Sequence, residues 1–214
     1  MITKDASARD RSDAVRRGIT LSYVTIGYNS LEALGSLVAG ILSGSVALVG
    51  FGIDSVIEVT SSLAAQWRLR SDIDSSRRER VERTTLRIVG WCFIALAIYV
   101  VLDSARSLVG REEPSRSVFG LVILVLSVVV MPLLARAKRR VATEMRSGAL
   151  EADAKQTALC AYLSLIALVG VGLNATLGLW WADPVAALVM VPIILKEGID
   201  GVRAKQCDDS DATP

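Results

Sequence analysis

A chain of 214 residues that is 52% hydrophobic yet only 5% aromatic, with a net charge of +2, is not composed like a soluble domain, and it lacks the basic, aromatic-interleaved surface that would point to nucleic acid. It contains no histidine, which removes the commonest metal ligand and the commonest general base together. Three widely spaced cysteines, Cys92, Cys160 and Cys207, argue against a disulfide framework. With no nucleophile elbow or phosphate loop either, an enzyme is not expected.

The first 17 residues carry Lys4, Arg9, Arg11, Arg16 and Arg17 ahead of an apolar stretch too long for a signal-peptide core. They read as a retained basic cytosolic arm. Uncharged runs then follow at 18–31, 33–53, 88–102, 117–135 and 157–182. With end charges allowed to snorkel, the sequence predicts six membrane-spanning helices near 18–43, 45–67, 86–108, 117–136, 149–177 and 182–200. The expectation is an all-α integral membrane protein with a transmembrane domain at 18–203 and a short polar tail at 204–214.

Between the first two helices lies little more than Ser43, Gly44 and Ser45, and Ser36, Gly40 and Gly44 form a small-residue stripe suited to close helix approach. The loop SDIDSSRRERVER alternates charge as a solvated helical extension would, or its arginines could meet anionic lipid. Pro132 and Pro192 fall in or near spans, where each removes a backbone donor. Asp183 with Pro184 suits the first turn of the sixth helix. With the N-terminus inside, all but Arg106, Arg111 and Arg116 of the 24 Lys and Arg collect on one face. The basic group from Arg136 to Lys155 is among them, and the bias sets both termini in the cytoplasm.

An ionisable group at mid-bilayer costs at least about 2.5 kcal/mol on insertion scales, so buried acids are functional candidates. Asp54 lies about 13 Å along the second helix, near the middle of the hydrocarbon core. Glu58 follows four residues later on the same face, and two like charges at that spacing make sense when a divalent ion or a shared proton compensates them. Pairing with a buried polar group is the plainer alternative. On the fifth helix Asp153, Gln156, Thr157 and Cys160 share one face, and Cys160 reaches a depth comparable with Asp54. Its thiol is either a soft thiolate ligand or a small buried hydrophobe. Glu32, midway along the first helix, either joins the site or bonds a neighbouring helix.

The segment SGSVALVGFGIDSVIE resembles the second-helix signature of the cation diffusion facilitator family, in which an acid, three residues and a second acid supply half of a transport site. The segment EADAKQTALC is similar to the family's fifth-helix segment, with Gln156 and Cys160 where relatives carry a histidine or aspartate and then an aspartate. The resemblance covers about residues 18–203 and is closer to relatives without the C-terminal cytosolic domain, since few residues follow Arg203. It implies a six-helix bundle, metal efflux in exchange for protons, and pairing of two copies through the membrane helices.

The expected metal ligands are Asp54, Glu58, Gln156 and Cys160, with Glu32 and Asp153 as possible additions. Mixed oxygen and sulfur donors favour zinc as the transported ion, with cadmium, iron, cobalt or manganese as alternatives. No resident cofactor is expected. The partners are the bilayer, the metal and protons, and the location is a membrane crossed several times, the inner membrane in a bacterium. A non-transporting metal sensor or scaffold is the competing function.

Overall fold

The structure is a computed structural model that describes residues 2–70, 75–145 and 148–203. Six helices follow one another: α1 (Ile2–Ser43), α2 (Val46–Arg70), α3 (Ser75–Gly110), α4 (Val118–Met145), α5 (Gly148–Leu177) and α6 (Ala182–Val202). Among the described residues there is no strand. The spans agree with the sequence reading, but three helices run further. α1 continues back to Ile2 through the basic arm, α3 takes in the charged loop from Ser75, and α4 passes Arg136 to reach Met145. None of these extensions contains a glycine or proline to stop a helix.

Four stretches are long and apolar enough to cross a membrane by length and composition: Val46–Leu63, Leu86–Gly110, Val118–Glu144 and Asp153–Leu177. α1 is less apolar because it carries Asn29 and Glu32, and α6 because it carries Asp183, Lys196, Glu197 and Asp200. The bundle is inverted relative to a soluble protein. Leu31, Leu42, Val109, Val118 and Tyr162 face outward, whereas Ser22, Asn29, Glu32, Asp54, Glu58 and Thr157 are buried. Such an arrangement suits a surrounding hydrocarbon phase, and the chain is a multi-pass membrane protein.

α2 is central, packing against α1, α3, α5 and α6, while α3 pairs with α6 and α4 with α5. Phe51, Leu48, Leu124, Met131, Leu163 and Met190 fill the apolar part of the core. Glycines set the closest approaches. A Cβ on Gly40 would sit 2.8 Å from the Val49 nitrogen, bringing α1 against α2. A Cβ on Gly90 would lie 2.5 Å from the Val202 nitrogen and 2.7 Å from the Gly198 oxygen, so α3 and α6 touch backbone to backbone. Gly44 does something else: at φ 70° it turns the chain between α1 and α2, with nothing near its missing Cβ. The small-residue stripe therefore packs through Gly40 and turns at Gly44.

Asp183 stands in the first turn of α6, as expected, with Pro184 beside it. Its carboxylate, however, reaches the start of α2, where it accepts bonds from the Ser45 hydroxyl and, at 2.9 Å, from the Val46 amide. It caps a helix other than its own. At the same end of the bundle, Ser115 N donates to Ser43 O at 2.8 Å and Asn174 Nδ2 to Pro114 O at 2.9 Å, tying the short connections together.

Candidate metal centre

The polar face of α2 presents Asp54, Ser55, Glu58, Ser62 and Gln66, all buried, with Asp54 and Ser55 together one turn before Glu58 and the others following every four residues. The polar face of α5 presents Asp153, Gln156, Thr157, Cys160 and Ser164 in the same rhythm. These faces meet. Thr157 donates its hydroxyl to Glu58 Oε1 at 2.6 Å, and Ser62 donates to Asp153 Oδ1 at 2.8 Å. The buried Cys160 thiol is near enough to Asp54 and Glu58 to interact electrostatically with both. Two acids from α2 and the sulfur from α5 thus lie on helix faces that pack together.

Glu32 approaches from α1. Ser55 donates to its Oε2 at 2.9 Å, Tyr28 and Ser127 lie beside it, and Glu58 is near enough to couple to it electrostatically. Three carboxylates each keep one buried oxygen without a hydrogen-bond partner: Glu32 Oε1, Asp54 Oδ2 and Glu58 Oε2. Buried polar atoms in folded proteins are almost always paired, so three unpaired acid oxygens in one interior mark a place built for something further.

Gln156 is buried one turn before Cys160, with its Nε2 unpaired. Asp153 differs from the other acids. Its Oδ1 is taken by Ser62, and its Oδ2 lies 2.8 Å from the Lys138 ammonium, as an ion pair and not an aligned hydrogen bond. Both oxygens are therefore engaged. Cys160 is free and buried, Cys92 is free and exposed, and Cys207 lies outside the described residues.

Among the described residues no three acids or cysteines are closed around a single point as a ready-made metal cluster. The donors are gathered from three helices, and rotation of their side chains would have to bring the free oxygens onto one ion. A carboxylate pair with a thiol can hold a borderline-soft divalent cation, and the unpaired Glu32 Oε1 is a further hard oxygen in the same interior.

Lys138 is the residue to which sequence reasoning gave no role. The run ARAKRR counts it among cytosolic charges, yet it is 0% exposed. α4 does not end at Arg136, and the helix carries Lys138 onto the face shared by Met131, Leu134, Ala135, Val141 and Ala142, all buried. That three-and-four spacing is the signal that could have found it. Asn29 and Ser127, buried with their side-chain polar atoms unpaired, were also missed. Neutral polar residues among apolar ones give no comparable sign.

A buried acid pair on the second of six helices is faced by a polar stripe on the fifth, and the chain belongs to the cation efflux family: residues 22–204 match its transmembrane domain. The chain is 26% identical over 197 residues to the uncharacterized transporter YdbO of Bacillus subtilis (strain 168), covering 89% of this chain and 68% of that protein. It is 25% identical over 184 residues to the magnetosome protein MamB of Magnetospira sp. (strain QH-2), covering 83% and 61%. It is 24% identical over 198 residues to the manganese efflux system protein MneS of Bacillus subtilis (strain 168), covering 89% and 68%. The chain spans about two thirds of the length of these relatives.

Proposed function

We propose that this protein moves a divalent metal ion out of the cytoplasm by alternating access, exchanging it for protons. The reading is supported above all by the free buried oxygens of Asp54 and Glu58 beside the Cys160 thiol. Asp54, Glu58 and Cys160 bind the ion, Gln156 stands adjacent, and Glu32 completes the sphere from α1. Both termini face the cytoplasm, and two copies pair through their membrane helices. Zinc is the favoured cargo because oxygen and sulfur donors suit a four-coordinate ion. A second reading takes manganese, favoured by the number of carboxylates and by the likeness to a protein named for manganese efflux.

Ligation requires deprotonated carboxylates and thiolate, so protons compete with the metal for the same atoms. The sign follows: acidifying the side from which metal is offered lowers uptake, and metal entering a vesicle drives protons out and raises internal pH. The test is a sealed proteoliposome assay with zinc, cadmium and manganese offered separately and a pH dye trapped inside. Wild type should show metal uptake with internal alkalinisation, and Asp54→Ala should fall to the level of empty vesicles. Metal binding without flux in the wild type would instead support a sensor or scaffold. Uptake by Asp54→Ala equal to wild type would remove the site.

A further inference from the structure

We infer that Lys138 is a built-in cation that withdraws Asp153 from the ion's ligand set and, through the Thr157 hydroxyl, positions Glu58 so that its second oxygen faces the ion. The inference rests on the metal-site reading above and assigns that site a positioning residue on α4, a helix that provides none of the proposed ligands.

The geometry is a chain of contacts from α4 through α5 to α2. The Lys138 Nζ donates to Thr157 Oγ1 at 2.9 Å and lies 2.8 Å from Asp153 Oδ2. An ammonium group has no lone pair, so the hydroxyl must accept from it. Thr157 is left with one proton and two acceptors in reach, Glu58 Oε1 at 2.6 Å and the Asp153 backbone oxygen at 3.1 Å. The shorter contact goes to the acid, and a hydrogen bond to a carboxylate is the stronger of the two. Glu58 Oε1 is thereby held while Oε2 stays unpaired.

The same ammonium acts on Asp153. With Ser62 on one oxygen and the Lys138 ammonium against the other, that carboxylate's charge is already compensated, which weakens it as a metal ligand. Four of the buried acids, Glu32, Asp54, Glu58 and Asp153, lie on the facing surfaces of α1, α2 and α5, and a divalent ion compensates two negative charges. Lys138 compensates one more without occupying the ion's place. Remove it, and Asp153 becomes a free hard-oxygen ligand while the Thr157 hydroxyl is released to turn. A lysine that merely joined α4 to α5 would affect stability; one that sets the ligand set also changes which ion is preferred.

The experiment is calorimetric titration of the purified full-length protein in detergent with cadmium and with manganese. Thr157→Val keeps the side-chain volume and loses the hydroxyl, and it should weaken both ions by about tenfold, the lower end of what loss of a ligand's supporting bond costs. Thr157→Ser, which keeps the hydroxyl, should bind as wild type. In a Glu58→Gln background the Thr157→Val effect should vanish, because the group being positioned has changed. Lys138→Met should shift preference toward manganese by about tenfold as a hard oxygen is freed, and adding Asp153→Asn should reverse that shift. Should Lys138→Met fail to fold, the Thr157 series decides alone. Wild-type affinity in Thr157→Val, or an equal loss with and without Glu58→Gln, overturns the inference and leaves the metal site standing. Absence of binding of either ion to the wild type overturns both.

Discussion

The α2–α5 face and the α3–α6 face hold helices together by opposite means. Across the first, side chains do the joining: Thr157 to Glu58 and Ser62 to Asp153, with Lys138 behind them. Across the second, side chains are removed, and Gly90, Gly198 and Gly201 let two backbones touch. Hydrogen bonds between side chains can be exchanged for bonds to an ion or a proton at little net cost, because one partner replaces another. A backbone contact has no substitute, since any separation opens a gap that nothing fills. The first face is therefore suited to rearrange around cargo, and the second to move as one body.

The contrast can be broken most directly at Gly90. Gly90→Val should destabilise the protein by about 3 kcal/mol, since the new side chain must force two backbones apart. Thermal unfolding in detergent measures it, and a stability equal to wild type would show that the faces do not differ as described. A smaller effect is expected at the joint between the regions. Asp183→Ala leaves the Ser45 hydroxyl and the Val46 amide without their acceptor and should cost about 2 kcal/mol in the same measurement. The smallest concerns the exposed Arg106–Glu112 pair, 3.3 Å apart at the end of α3. Glu112→Gln should leave the unfolding midpoint unchanged, because solvent screens such a pair; a clear drop would show that surface charge contributes where only packing is invoked.

Much of this architecture was legible beforehand, for identifiable reasons. Hydropathy fixes the spans because the bilayer demands length and apolarity together. Asp54 and Glu58 stand out because two acids four apart in an apolar helix conflict with their surroundings. Cys160 stands out by depth and periodicity, on the α5 face that packs toward α2. The misses share a cause. Lys138 lies in a basic run whose composition resembles a cytosolic loop, and only the continuation of α4 turns it inward. The capping role of Asp183 and the α3–α6 glycine contact both depend on a partner more than 100 residues away in sequence. Local pattern carries no information about such pairs.

The carboxylate that completes the first turn of α2 belongs to α6, and this orders events during synthesis. Because the chain emerges from its N-terminus, the helix bearing Asp54 and Glu58 is made while the acceptor for its opening turn is still 137 residues away. Until the sixth helix arrives, Ser45 and Val46 must find provisional partners, and the register of the two acids is not yet pinned. Completion of the opening turn of α2 therefore waits for the sixth helix, and a ribosome-bound chain stopped before Asp183 should present α2 without that anchor.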